Sequence, residues 1–256
     1  MSQIRLNKFL AERIGVSRRE ADELIEAGKI TINGKLAKIG EKLDKGDKVC
    51  YNKKIIPFET EYLYVAMNKP VGYVCSRRAQ GAAPTIYNLL PKEYKNLKTV
   101  GRLDKDSSGL ILLTNDGDFA FKMTHPKFQK EKIYYVTLDK PLQPLHQQMI
   151  SDYGIMLDDG PSKFTIIRAE ESADGAMCPK GHEDLARAAR SVPEGNAAPS
   201  ADSSQYIVKL SEGRNRQIRR TFAALGYHVV KLHRVSFGAY HLNNLAPGKH
   251  QLIDKN

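Results

Sequence analysis

Between Gly101 and Gly117 the chain reads Gly-Arg-Leu-Asp-Lys-Asp-Ser-Ser-Gly and then Leu-Ile-Leu-Leu-Thr-Asn-Asp-Gly. No other stretch restricts the fold as much. The uninterrupted apolar run Leu110 to Leu113 reads as a buried strand entered through a glycine turn. Charged groups at the mouth of such a strand are expensive to desolvate, so their presence there points to chemistry. Arg102 lies two residues before Asp104 and shares a face with it if that segment is extended.

A calcium loop is the competing reading of the same residues. Asp104, Asp106, Ser108 and Gly109 match the first six positions of an EF-hand, and Ile111 matches its apolar eighth. The twelfth position is Asn115, where a bidentate Glu is required. Thr99-Val100-Gly101 before it is strand-like and turn-like, not the end of a helix. Calcium therefore does not account for the segment.

Residues 3–56 form a separately punctuated unit. Leu6, Phe9, Leu10 and Ile14 recur at helical spacing, with Gly15 where a C-terminal cap belongs. Ser17-Arg-Arg-Glu20 matches a capping box and opens a second helix, which presents Ala21, Leu24 and Ile25 inward and stops at Gly28. Ile30 and Ile32 lead into Asn33-Gly34, the favoured two-residue hairpin turn, and a last strand surrounds Val49. The unit holds thirteen Lys/Arg against eight acids. Most of those charges read as a solvated face. Arg18 and Arg19 differ, because cations in the first turn of a helix oppose its dipole and a phosphate partner reverses that cost. Lys8, on the preceding helix, is placed to join them.

Residues 57–61 read as a linker, and 62–256 as a larger domain. Its expected strands are Leu63–Met67, Gly109–Thr114, Ile133–Leu138, Phe164–Ala169, Tyr206–Leu210 and Val229–Val235. Its expected helices are Phe119–Thr124, Pro144–Asp152 and Asn215–Leu225. That irregular alternation predicts an α+β fold with a mixed, largely antiparallel sheet. Residues 172–204 break the pattern: Ala, Gly, Pro and Ser fill 19 of 33 positions, which predicts a flexible insertion.

The formal charge of +11 over 256 residues suits a polyanionic partner. Cys50, Cys75 and Cys178 are far apart and form no CxxC, which argues against a disulfide framework or a zinc site. Neither a secretory leader nor an apolar run of about 20 residues is visible, so a cytosolic protein without a membrane partner is expected.

The Gly101–Gly117 stretch resembles the catalytic signature of the pseudouridine synthases, in the branch that modifies ribosomal RNA and carries a small N-terminal RNA-binding module. The resemblance extends through Asn68-Lys69-Pro70-x-Gly72, Lys132-x-Tyr134, Gly213-Arg-Asn-Arg-Gln-Ile-Arg-Arg220 and Lys231-Leu-x-Arg234, in the family's order. It implies a pseudouridine synthase fold preceded by an S-four RNA-binding module, an isomerase acting as a monomer, and no metal or cofactor. It maps the catalytic carboxylate to Asp104 and its neutralising partner to Arg219. Arg102 is implied to help fill the space left by the extruded base. Tyr134 is implied to pack on the uracil, and Leu232 to line an apolar pocket. Tyr135 points to the opposite face and is expected in the core. His125, His228 and His233 lack metal spacing.

The reaction breaks a carbon–nitrogen glycosidic bond, rotates the base and rejoins it through carbon. One ionised carboxylate suffices, either attacking the anomeric carbon or abstracting a sugar proton. It must stay ionised in a pocket that excludes water, which requires a cation beside it. Arg214, Arg216 and Arg220 crowd around Arg219 and form a basic patch whatever the chemistry. The expected partner is ribosomal RNA, with Lys105-Asp106-Ser107 leaning towards the large subunit. Two alternatives remain open, a non-catalytic RNA-binding protein of ribosome assembly and the same chemistry on tRNA.

Overall fold

The computed structural model describes residues 3–59, 61–77, 80–171, 177–178 and 204–255. The chain divides into two compact units. One comprises Met1–Leu63 with Lys92–Lys98 and Thr114–Gly117, the other Tyr64–Pro91, Thr99–Leu113 and Asp118–Asn256. The first unit thus recruits two short segments that the sequence reading left with the larger domain.

In the first unit the helices Leu6–Arg13 and Arg18–Glu26 form as the capping signals dictate. Ser17 Oγ accepts from the Glu20 amide at 3.1 Å, and the Glu20 carboxylate accepts from the Ser17 amide at 2.7 Å. Asn7 Nδ2 donates to both carboxylate oxygens of Asp22 at 3.1 Å, tying one helix to the other. Leu6, Phe9, Leu10, Ala21, Ile25, Ile30, Leu43 and Val49 bury a continuous core. Each large apolar side chain there contributes about 1.5–3 kcal/mol over an exposed one. Asn33 and Gly34 take φ of 51° and 85°, and the hairpin register pairs Ile32 with Lys35. Both angles are positive, as a type I′ turn requires.

The second unit is built on one sheet. Its strand order is Thr165–Arg168, Ser204–Leu210, Lys132–Leu138, Val229–Phe237, Ser108–Thr114, Tyr64–Lys69 and His250–Leu252. Val229–Phe237 runs parallel to Ser108–Thr114 and antiparallel to Lys132–Leu138. The architecture is therefore α+β with a mixed sheet, as the alternation of elements predicts. Ile133, Tyr135, Ile207 and Val235 pack together on one face, which places Tyr135 in the core. On the other arm of the sheet, Tyr64, Val100, Leu110, Leu112, Phe119 and Phe237 enclose a second apolar cluster.

Two expected elements need correction. The helix expected over Pro144–Asp152 is α-helical only through Gln148 and then widens to a π-turn over Met149–Tyr153. Gly154, at φ 81°, closes that turn by donating its amide to Met149 O at 2.8 Å. The helix expected from Asn215 begins at Gln217, because Arg216 adopts the left-handed conformation and caps it. The insertion expected at 172–204 lies outside the described residues apart from Met177–Cys178 and Ser204. Among the described residues, no helix is long and apolar enough to cross a membrane.

The joint between Ser108–Thr114 and Val229–Phe237 depends on Gly109. Its φ is 105°, and a Cβ built there would lie 2.2 Å from Arg234 O. Gly109→Ala should therefore combine backbone strain with a backbone clash, costing about 3 kcal/mol or more. For a chain of this size that lowers Tm by roughly 6–12 °C. Thermal denaturation of the purified variant checks this, and an unchanged Tm contradicts it.

Candidate active site

Asp104 sits on a tight turn just before the buried strand Ser108–Thr114. Ser107 N donates to Asp104 O at 3.1 Å, and Gly72 N donates to Lys105 O at 2.8 Å. Lys69 holds the turn from below. It is fully buried, and its Nζ donates to Ser107 O at 2.6 Å and Pro70 O at 3.0 Å. Burial lowers its pKa to about 8 against the opposing pull of Cys75, Asp104 and Asp106.

The turn forms one wall of a cavity of about 280 Å³. That is near the lower end of the range for small-molecule sites. Asp104, Arg102, Tyr134, Leu232, Arg216 and Arg214 all line it. Tyr134 reaches it from Lys132–Leu138 because successive residues alternate faces and Tyr135 takes the core side. Leu232 and Arg234, two apart on Val229–Phe237, reach it together.

Cations dominate the walls. Arg216 Nη1 stands 3.7 Å from Asp104 Oδ2, with the Asp104 side chain 32% exposed. Arg216 also grips Asp106 with two 2.9 Å bonds, one to each carboxylate oxygen. Those bonds, with the Arg219 and Arg216 charges, hold the Asp106 carboxyl below its usual pKa. Arg234 is 2% exposed, donates Nε to Leu110 O at 2.7 Å and lies 4.9 Å from the Phe237 ring centre. Lys132 donates to Lys130 O and Glu212 O at 3.2 Å. Burial, reinforced by Arg234, lowers its pKa to about 8.

Arg219 is placed differently from expectation. Its Nη1 donates to Val229 O at 2.7 Å and its Nη2 to Asp106 O at 2.8 Å, while Nε lies 3.3 Å from Asp106 Oδ2. Its carboxylate partner is Asp106, and the cation in ion-pair range of Asp104 is Arg216. Helix phase explains the exchange. Arg219 emerges from the first full turn of Gln217–Ala224, whereas Arg216 caps it at φ 46°.

The basic patch around Arg219 is also less free than its composition suggests. Arg214 spends Nη1 on Asp159 Oδ1 and on the carbonyls of Asp159 and Gly160, and Nη2 on Pro161 O and Glu212. Arg220 donates to Asp159 Oδ2 at 2.7 Å and to Asn215 O at 2.9 Å. Both arginines fasten the hairpin Ile155–Leu157/Gly160–Ser162 to the helix, so they are struts, not open phosphate contacts. His233 is a strut too. Its Nδ1 lies 2.8 Å from Ser108 Oγ, and burial depresses its pKa to about 4. Among the described residues, no group of three or more His, Cys, Asp or Glu could hold a metal ion.

Comparison with known proteins settles the family. The RNA pseudouridylate synthase pattern matches residues 63–224, and the S4 domain pattern matches residues 4–49. The chain belongs to the RNA pseudouridylate synthase family. As a pseudouridine synthase it isomerises uridine to pseudouridine. It is similar to ribosomal small subunit pseudouridine synthase A of Pasteurella multocida, 33% identical over 98% of this chain and 96% of that protein. It is similar to ribosomal large subunit pseudouridine synthase B of Bacillus subtilis, 30% identical over 95% and 89%. A crystal structure of a pseudouridylate synthase matches with a TM-score of 0.61 at 29% identity, covering 98% of this chain and 96% of that one.

Three residues at the synthase site received no role from the sequence alone. Lys69, Lys132 and Arg234 each stand in a matched motif; Lys132 and Arg234 line the cavity, and Lys69 is buried under the Asp104 turn. Lys69 and Lys132 carry a pH consequence. Both are protonated below about pH 8 and lose their charge as pH rises through that value. Loss of Lys69 charge weakens the hold on the Asp104 turn, so kcat should fall on an alkaline limb beginning near pH 8. A profile that stays level to pH 9.5 contradicts this.

Proposed function

We propose that this synthase isomerises a specific uridine in ribosomal RNA, with Asp104 as the catalytic carboxylate. One observation carries the reading: among the described residues lining the cavity, Asp104 is the only carboxylate, and it faces cations. A carboxylate so surrounded stays ionised, as either route to C–N cleavage requires. It then attacks the anomeric carbon or removes a sugar proton. Arg216 is the cation beside it, and Arg219 anchors the turn through Asp106. Tyr134 forms a wall on which an extruded uracil can stack, and Leu232 the apolar floor. Arg102 also lines the cavity and is proposed to help fill the space left by the extruded base.

Ribosomal RNA is proposed because the relatives' names specify ribosomal subunits and because an S4 domain pattern matches the N-terminal unit. The earlier lean towards the large subunit has little to rest on, since the relatives named for the small subunit reach 33–34% identity. Both rRNAs must therefore be mapped. The enzyme is proposed to work as a cytoplasmic monomer without a cofactor. Comparing pseudouridine maps of both rRNAs from strains with and without the gene tests the reading. Loss of one pseudouridine, restored by the gene, supports it, and unchanged maps refute it.

Residues 1–56 are proposed to supply affinity through Arg18 and Arg19, both exposed in the first turn of their helix. Lys8, 3.9 Å from Glu12, is the third member. Replacing Arg18 and Arg19 by Glu should weaken RNA binding and reduce the salt slope by about 2, with the saturated rate kept. Filter binding across a salt series measures it. An unchanged slope moves the docking surface elsewhere.

A further inference from the structure

Beside the cavity lies a cluster that the reaction does not use. Thr124, which lines the cavity, ends the helix Gly117–Thr124. Phe121 precedes it by one turn, and His125 and Phe128 follow it. The Phe121 ring lies 4.7 Å from the His125 ring and 5.8 Å from the Phe128 ring, centre to centre. Lys127 Nζ stands 5.3 Å and 4.7 Å from the two phenylalanine rings. Yet Phe121 remains 46% exposed and Phe128 37% exposed.

Two half-exposed phenylalanines under one ammonium are not needed for the core, since Phe119 and Met123 make the apolar contacts of this helix. Their neighbourhood is basic. From Phe121 to Lys132 the chain carries four lysines and one acid, Glu131, which is held by Lys209 at 2.7 Å. Half-exposed aromatic rings beside lysines that outnumber the nearby acids are the combination that binds unpaired nucleic-acid bases and the phosphates between them.

We propose that Phe121, Lys127 and Phe128 form a stacking platform for unpaired RNA bases flanking the uridine that enters the cavity. This rests on the RNA-modifying reading above. Flipping a nucleotide unstacks its neighbours, and a platform next to the entrance gives those neighbours a new stacking partner. The phenylalanines take the bases, and Lys127 and Lys130 take the adjoining phosphates.

The test uses the full-length enzyme and a stem-loop fragment of its rRNA whose target uridine lies in the loop. Base–aromatic stacking is worth about 1–3 kcal/mol per base. Phe121→Ala/Phe128→Ala should therefore weaken binding by about 30-fold or more and raise KM in step. The single-turnover rate at saturating RNA should stay within about threefold. Phe121→Tyr/Phe128→Tyr, which keeps both rings, should restore affinity, and circular dichroism should show both variants folded. Unchanged affinity in the folded alanine variant overturns the proposal. So does unchanged RNA affinity with altered self-association by light scattering, which would make the patch a protein interface. If the wild-type enzyme neither binds nor modifies the RNA, the underlying reading fails instead.

Discussion

Asp104→Asn is expected to abolish pseudouridine formation while leaving RNA affinity within about twofold of wild type. The substitution preserves shape and two hydrogen-bonding atoms but removes the charge. An amide neither attacks the anomeric carbon nor accepts a sugar proton at neutral pH. Among the described residues no other carboxylate lines the cavity to replace it, and Asp106 is turned to Arg216 and Arg219. The lost rate should reach at least about 10⁴-fold, equivalent to about 5.4 kcal/mol of transition-state stabilisation. Affinity should persist because phosphate contacts dominate binding to RNA. Single-turnover assays and filter binding on one preparation separate the two. Turnover by the variant above a no-enzyme control contradicts the assignment.

The second large effect concerns the two arginines that share the Asp104–Asp106 turn. Arg216→Ala removes the cation 3.7 Å from Asp104, and Arg219→Ala removes the clamp on Asp106 O and Val229 O. Each should lower the saturated single-turnover rate by about 100-fold or more, near 2.7 kcal/mol. The conservative variants should part company. The Arg216 contact to Asp104 exceeds hydrogen-bond length and acts as charge, so Arg216→Lys should recover much of the rate. Arg219 uses a planar fork on acceptors lying in different directions, which a lysine ammonium cannot match. Arg219→Lys should therefore stay close to Arg219→Ala. Equal rescue at both positions would contradict this division of roles.

The sequence made local geometry legible and left distant geometry obscure. The Ser17–Glu20 capping box, the Asn33-Gly34 turn and the strand after Gly109 were readable because their signals span a few residues. Asp104, Tyr134 and Leu232 could be drawn to one cavity through the family resemblance, and they line the same cavity. The partner of Arg219 was not readable. It depends on where the helix begins, and a left-handed Arg216 delayed that start by two residues. Asp159 likewise cancelled Arg214 and Arg220 as free charges from more than fifty residues away. Lys69 stood in a matched motif with no role assigned to it. Its burial arises only when the Asp104 turn closes over it.

The most direct test of the central claim is a pseudouridine map of both rRNAs from a strain lacking the gene, complemented with either wild type or Asp104→Asn. One pseudouridine should be missing, restored fully by wild type and not at all by a stably expressed Asp104→Asn. Restoration by the Asp104→Asn protein, or maps that never lose a site, would contradict it.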